Sequence, residues 1–306
     1  MDLYLIDGNS YYYRAFHAIR GLTNSKGLPT NAIYGFTSMV FKIIREKKPD
    51  ALAIAFDSKG PTERHKLYDQ YKAQRPETPE GLIVQIPHIK EIISAFRIPA
   101  FEIPGIEADD IICTIAKKAA AQGARVFILS GDKDMMQVVG GGINIYDPMK
   151  DIAIGGKDVF ERFGLSPKRL PEFMALTGDV SDNIPGVKGI GEKTAKELLA
   201  DAGSLDELIT HPEKIKNDRL RKMISESIEV IKLSRVLAEI DMDVSLEIDL
   251  KTLTVQEPDW PELLRLFTEF EFRNMIKLIP SLGREARGQY HTITERKELA
   301  GFLGLK

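Results

Sequence analysis

The chain has 306 residues with 43% hydrophobic and 28% charged content, the make-up of a soluble globular protein with room for one large domain or two modest ones. No apolar run approaches the roughly 18 residues a membrane helix needs, so no membrane partner is expected, and Cys113 stands alone, which excludes an internal disulfide. The net charge of −3 argues against a nucleic-acid partner only if the acids are spread evenly; gathered in one metal-neutralised pocket, they leave the remaining surface able to attract phosphate.

In chain order, the opening MDLYLIDGNS has no basic region followed by an apolar stretch, so no signal peptide is read and a cytoplasmic location is expected. Short apolar runs rich in strand formers follow: LYLI (3–6), ALAIAF (51–56), PAFEI (99–103) and RVFIL (125–129). Helical periodicity fills the gaps over 32–46, 83–96 and 109–121. Strands alternating with helices predict crossover units and an α/β fold with a mostly parallel sheet flanked by helices. From about Lys157 strand signals thin out and helical segments succeed one another at 167–177, 192–201, 205–210, 219–240 and 261–278. The expected organisation is an α/β core over 1–165, a helical subdomain over 166–280 and a separate tail over 281–306. No Gly/Ser/Pro linker divides the first two, so tight packing is expected.

The first chemical signal is positional. Asp7 and Asp57 directly follow the first two strands, Glu107 comes shortly after the third and Asp132 shortly after the fourth. Open α/β sheets bind ligands at the carboxyl ends of their strands. Each acid brings neighbours: Asp109 and Asp110 in GIEADD, Asp134 in GDKD, and later Asp179 and Asp182 in GDVSD. A lone Asp after a strand is as often a turn or N-cap residue, and an acid pair opening a helix complements its dipole. The coincidence of all of them at one sheet edge carries the metal reading. So many carboxylates would repel if bare, and oxygen donors without clustered His or Cys suit Mg²⁺ or Mn²⁺ rather than zinc.

The second signal is IPGVKGIGEKTAKELL (184–199). Gly186, Gly189 and Gly191 punctuate a turn between helices, and the helix opening at Glu192, Lys193 and Thr194 offers free N–H groups to an anion. Lys188, Lys193 and Lys196 add charge, so the element suits phosphate rather than base edges; the alternative is an ordinary Gly-rich helical turn. RHKLYDQYKAQR (64–75) interleaves Arg64, Lys66, Lys72 and Arg75 with Tyr68 and Tyr71, a pattern that suits single-stranded nucleic acid; a solvated helix face is the alternative. KIKNDRLRK (214–222) reads equally as duplex contact or solvated helix.

Taken together, LIDGNSYYYRAFHA, FDSKGPTERHKLYDQYKAQRP, GIEADDI, SGDKDMMQ, LTGDVSDNIPGVKGIGEKTA and FEFRNMIKLI resemble the 5′-nuclease (flap endonuclease) family, in its order and spacing, over nearly all of residues 1–280. Within that family the resemblance is to the nuclease domain at the N-terminus of bacterial DNA polymerase I. It implies a PIN-like core with an acidic crevice, a helical arch above it and a helix–three-turn–helix element. It also implies that Asp7, Asp57, Glu107 and Asp109 serve one metal ion and Asp132, Asp134 and Asp182 a second, with Asp110 and Asp179 binding directly or through water. Lys72 and Arg75 match arch residues that act on the scissile phosphate, Arg14 a phosphate contact, and Tyr13 an aromatic that stacks on a base. The glycine turn matches the duplex-binding element, which in the family commonly holds K⁺. One departure stands in GPTERH, where Glu63 replaces the family's usual aromatic residue.

The expected function is two-metal hydrolysis of DNA with 5′ ends or 5′ flaps, by a monomer associated with the nucleoid. A non-catalytic structure-specific DNA-binding module is the alternative; a phosphatase would want a second acid two residues after Asp7, where Asn9 stands. SLGREARGQ after Ile279 reads as a linker, and YHTITERKELAGFLGLK (290–306) as the opening of a following exonuclease-like domain, so polymerase domains are expected in the same polypeptide.

Overall fold

The structure, a computed structural model, describes residues 1–280. The expectation for 281–306 lies outside the described residues. Six strands form one sheet: β1 (Asp2–Asp7), β2 (Ala51–Ala55), β3 (Ala100–Phe101), β4 (Arg125–Leu129), β5 (Ile143–Asp147) and β6 (Ile152–Ile154), in spatial order β3-β2-β1-β4-β5-β6. All pairs are parallel except β5 with β6. The first four strands overlap the apolar runs; the near-continuous hydrophobicity of β1 and β2 follows from burial on both faces, whereas β3 is a two-residue strand at the sheet edge. The last two were not anticipated. β5 is the alternating INIYD behind a run of glycines, and β6 has three residues, none fully buried.

Alternation along β1 divides its side chains between two layers. Leu3 and Leu5 pack with Ile111 and Ile115 in one core cluster. Tyr4 points the other way and stacks on Phe127 of β4 at 4.8 Å between ring centroids. Helices α1 (Gly8–Ala18), α2 (Asn31–Lys42), α3 (Glu63–Leu67), α4 (Glu80–Ile83), α5 (Ile86–Ala95) and α6 (Ala108–Ala121) complete this layer. The run 83–96 divides because Pro87 in the first turn of α5 starts a new helix.

The arch segment departs from the expected helical form. Helix is confined to α3 and α4, and residues 68–79 between them run as turns and extended chain. Lys72 sits there in the left-handed region at φ +55°. Glu63 is exposed and pairs with Lys66 one turn on, so the departure from the family pattern faces solvent.

The later helices are α7 (Gly156–Phe163), α8 (Leu170–Thr177), α9 (Glu192–Ala202), α10 (Leu205–Thr210), α11 (Asp218–Glu226), α12 (Ile228–Ala238), α13 (Trp260–Glu269) and α14 (Arg273–Ile276). The single helix expected over 219–240 breaks at Ser227, where a Ser side chain competes poorly for helical conformation. Phe173, Leu176, Leu199 and Ile231 share a second core cluster. Beyond α12 the chain returns to the sheet: Leu253 joins the first core, and Val255 N–H donates to Asp50 O at 3.1 Å. Met1–Asp259 form one compact unit, and a second begins at Trp260.

Candidate active site

The chain leaves β1 for β2 and β3 on one side and then crosses back to β4 on the other. The crevice at that reversal, at the carboxyl ends of β1 and β4, is where an open α/β sheet binds ligands. Asp7 ends β1 and caps α1: its Oδ1 accepts from Ser10 N–H at 2.9 Å and its Oδ2 from Ser130 Oγ at 2.7 Å. Asp57, past β2, accepts from Asn9 Nδ2 at 2.8 Å and from Ala108 N–H, at the first turn of α6, at 2.8 Å. Asp132, past β4, accepts from Asp134 N–H at 2.8 Å. A cavity of about 450 Å³ is lined by Asp7, Asp57, Asp109, Asp132, Asp179 and Asp182, with Lys72, Arg75 and Tyr13 on the same walls.

Burial and crowding raise Asp7, Asp57, Asp109 and Asp132 above the ordinary carboxylate range. Burial pushes Asp7 up to about 6, with Asp57 and Asp132 adding repulsion against the backbone and Ser130 bonds that favour the charge. Burial also raises Asp57, and it raises Asp109 strongly together with its neighbours Asp110 and Glu107. Asp134 is pushed up to about 8 by burial and by Asp132 and Asp179. Glu107 runs the other way: burial opposes its charge, but the cations of Lys72 and Arg64 hold it below the usual range.

Those cations come from the arch. Lys72 Nζ lies 2.7 Å from Glu107 Oε2 and 3.7 Å from Asp182 Oδ2, and Arg75 Nη2 lies 2.6 Å from Asp182 Oδ1. The backbone adds Lys72 N–H to Asp182 O at 3.0 Å. Lys72 is deep, with 14% of its side chain exposed, whereas Arg75 at 46% stands at the rim. Lys72 stays charged because Glu107, Asp109 and Asp182 outweigh the burial that disfavours its ammonium. With the cations interposed, no three acids among the described residues converge as a ready-made cage.

Five expected residues are placed differently. Glu107 lies off the cavity wall, its Oε1 accepting from Thr62 Oγ1 at 3.0 Å and its Oε2 from Lys72 Nζ at 2.7 Å. Asp110 does not reach the cavity; both its oxygens accept from Arg64 at 2.8 Å, and Oδ1 also accepts from Asp241 N–H at 2.8 Å. Arg64, read as a DNA contact, is therefore an interior clamp between α3 and α6, because a bidentate pair of this kind consumes its donors. Tyr71, also read as a DNA contact, is 3% exposed; its ring sits in the helical core and its hydroxyl lies 3.2 Å from Glu107 Oε2 and 3.3 Å from Asp182 Oδ2, with one proton for the two acceptors. Asp134 lies in an adjoining cavity of about 590 Å³ that shares Lys133, Asp179 and Ser181 with the first and reaches Gly191 and Glu192 at the start of α9. The two cavities thus run from the acids to the glycine turn.

That turn spans 178–191, between α8 and α9. Gly186, at φ +56°, crosses so close to Gly178 that a Cβ would stand 2.2 Å from the Gly178 nitrogen, which only glycine permits. Ser234 Oγ accepts the Gly186 N–H at 3.1 Å. Beyond the crossing, Lys188, Gly189, Gly191 and Lys193 are exposed and Thr194 half-buried, with Gly191 capping α9. Tyr13 and Arg14 project from α1: Tyr13 hydroxyl bonds Thr78 Oγ1 at 2.6 Å, and exposed Arg14 lies over the Tyr11 ring. The sequence reading passed over Asn9, Thr62, Ser130 and Lys133. Asn9, Thr62 and Ser130 donate to Asp57, Glu107 and Asp7, and Lys133 pairs with Asp179 at 3.3 Å. All but Thr62 lie within two residues of an acid, which is the one signal that could have found them.

The donor set fits a hard divalent cation. It is all oxygen, and Asp134 Oδ1 is buried with no hydrogen-bond partner, an expense that a cation removes.

Comparison with known proteins agrees in extent. The family model for the 5′-3′ exonuclease N-terminal resolvase-like domain matches residues 2–164, and that for the 5′-3′ exonuclease C-terminal SAM fold matches 165–261. The chain is 39% identical over 286 residues to a 5′-3′ exonuclease of Aquifex aeolicus, covering 93% of this chain and 97% of that protein. It is 41% identical over 285 residues to DNA polymerase I of Rhizobium leguminosarum, covering 90% of this chain but 28% of the polymerase. Among solved structures, the bacteriophage T5 D15 flap endonuclease in a pseudo-enzyme–product complex with DNA and metal ions shares the fold, with a TM-score of 0.64, 19% identity, and coverage of 91% of this chain and 99% of that one.

Proposed function

The chain belongs to the 5′-3′ exonuclease family, and from that premise we propose that it is a structure-specific 5′ nuclease, hydrolysing DNA phosphodiesters at 5′ ends and at 5′ flaps. The observation that carries this reading is the acid-lined cavity at the sheet's switch point with Lys72 and Arg75 on its wall. Acids alone mean only metal-assisted chemistry; acids beside fixed cations suit a reacting phosphate. Asp7, Asp57, Glu107 and Asp109 would hold one divalent cation, and Asp132, Asp134 and Asp182 a second, with Asp179 beside it. Asp110 is left out because Arg64 occupies both its oxygens, and Glu107 would join only as its bonds from Thr62 and Lys72 give way to the cation. Divalent cations, Mg²⁺ or Mn²⁺, supply water activation and charge stabilisation to phosphodiester hydrolysis when bound.

The protein's own residues do the rest. Lys72 and Arg75 meet the charge that builds on the attacked phosphate, as preorganised cations do where charge develops. Tyr13 at the cavity wall offers a ring to an unpaired base. The exposed glycine turn with Lys188 and Lys193 grips the duplex backbone and sets register without reading sequence; its carbonyls would hold a K⁺. Product mapping on an end-labelled 5′-flap duplex tests the proposal. Chelator-sensitive cleavage near the junction, giving 5′-phosphate and 3′-hydroxyl ends, is expected. Tight flap binding with no cleavage in either metal would favour a non-catalytic binding module.

A further inference from the structure

Two acids that flank the switch point are joined through one hydroxyl. Ser130 is the first residue past β4 and is 7% exposed. Its Oγ donates to Asp7 Oδ2 at 2.7 Å and accepts from Asp132 N–H at 3.0 Å. A hydroxyl carries one proton, and an amide N–H cannot accept it, so the geometry commits that proton to Asp7. The opposite side is tied in mirror fashion: Ser10 N–H holds Asp7 Oδ1 at 2.9 Å, and Ser10 Oγ accepts from Gly131 N–H at 3.1 Å. The β1–β4 ladder ends at Ile6 and Leu129, so beyond it these bonds bind the two chains together. Gly131 allows the approach, since a Cβ there would stand 2.8 Å from Arg14 Nη2 and 3.2 Å from Ser10 Oγ.

We infer that Ser130 is a positioning residue for the nuclease reaction, its hydroxyl fixing the Asp7 carboxylate against the backbone amide of Asp132, from which the second carboxylate projects. The inference rests on reading the cavity as the nuclease site. Asp7 and Asp132 are the acids of different ions in that reading, so a hydroxyl that ties the carboxylate of one to the backbone of the other bears on how the two ligands stand to one another. Ser130 itself lies off the cavity wall, so it acts through the acids it holds. Partners that orient a ligand from behind are typically worth about 10- to 100-fold in metal affinity or activity. A hydroxyl that only stabilised the fold would move melting temperature and leave both untouched.

The full chain with Ser130→Ala and Ser130→Thr tests this. Mn²⁺ affinity is read on DNA-free protein by electron paramagnetic resonance, kcat and KM on a 5′-flap duplex, and folding by melting temperature. Ser130→Ala is expected to weaken Mn²⁺ binding about 10-fold and to lower kcat about 10- to 100-fold, with KM for DNA unchanged because the duplex grip lies on the glycine turn. Ser130→Thr keeps the hydroxyl and is expected to return both to within about threefold of the parent. An alanine variant with parental Mn²⁺ affinity and kcat overturns the inference whatever its melting temperature. So does a threonine variant of parental stability that loses as much as alanine. Failure of the nuclease reading would show separately, as a parent chain that binds the flap and does not cut it; the Mn²⁺ titrations would still decide the positioning role.

Discussion

The sheet edge and the arch contribute opposite charges to one cavity and are held by different physics. Asp7 and Asp57 are fixed by neutral donors: backbone amides of Ser10 and Ala108, the Asn9 amide and the Ser130 hydroxyl. These donors belong to regular elements or their caps and do not depend on what fills the cavity. Lys72 and Arg75 are held mainly by ion pairs to Glu107 and Asp182, on a segment with almost no helix of its own. The edge is preorganised by its own frame. The arch cations are preorganised by the acids they face, with Tyr71 seated in the helical core behind them.

The largest expected effect breaks the edge. Asp7→Ala removes an acid from the switch point, where no other residue can replace it, and turnover should disappear. Affinity for a flap duplex should stay within a few-fold of the parent, because the glycine turn is untouched. Near-normal turnover in a folded Asp7→Ala protein would remove the edge from the chemistry.

Next comes the arch. Lys72→Ala should lower kcat about 10²- to 10³-fold, the range for losing one preorganised charge-stabilising group, with little change in duplex affinity. A cation acting on the transition state shows in the rate. Lys193→Ala, on the exposed turn, should do the reverse: kcat at saturation persists, duplex binding weakens, and the salt slope of binding falls by about 1. Filter-binding and single-turnover rates over a salt series separate the two. If both variants gave one pattern, cavity and turn would not be distinct in function.

What was legible in the sequence divides along the same line. Strand ends can be read from apolar runs, so Asp7, Asp57 and Asp132 were placed correctly from their spacing alone. The glycine turn was legible because positive φ and close approach leave a compositional trace, as at Gly186. The arch was not. The segment 64–75 interleaves cations and tyrosines as a solvated or DNA-facing surface would, yet Arg64 and Tyr71 are interior. The partners of these residues and of Lys72, namely Asp110, Glu107 and Asp182, lie 35 to 111 residues away in sequence, and composition carries no record of such pairing. β5 and β6 escaped for a simpler reason: β5 breaks its apolar run with Asn144 and Asp147 behind three glycines, and β6 has three residues, two of them exposed.

The smallest effect concerns protons at the edge. Asp7 and Asp134 have folded-state pKa values raised to about 6 and about 8 from an ordinary 3.8. The folded protein therefore keeps protons that the unfolded chain has released. Each group's contribution to stability is complete below about pH 4 and is lost as pH rises through its folded value. Glu107 is depressed instead, so its contribution is complete above about pH 4.5 and does not counter the trend at higher pH. In chelator, the melting temperature should fall by a few degrees between pH 5.5 and pH 8.5. Saturating Mn²⁺ should abolish the fall, since a bound cation offsets the same repulsion as the proton. Asp134→Asn, which is neutral at every pH, should remove the upper part of the fall and leave the part near pH 6. The contrast between edge and arch sharpens here, because Lys72→Met should leave the Asp134 step in place. A melting temperature in chelator that is flat or rising with pH, with every variant folded, would mean that the arch cations, not protons or metal, already neutralise the edge.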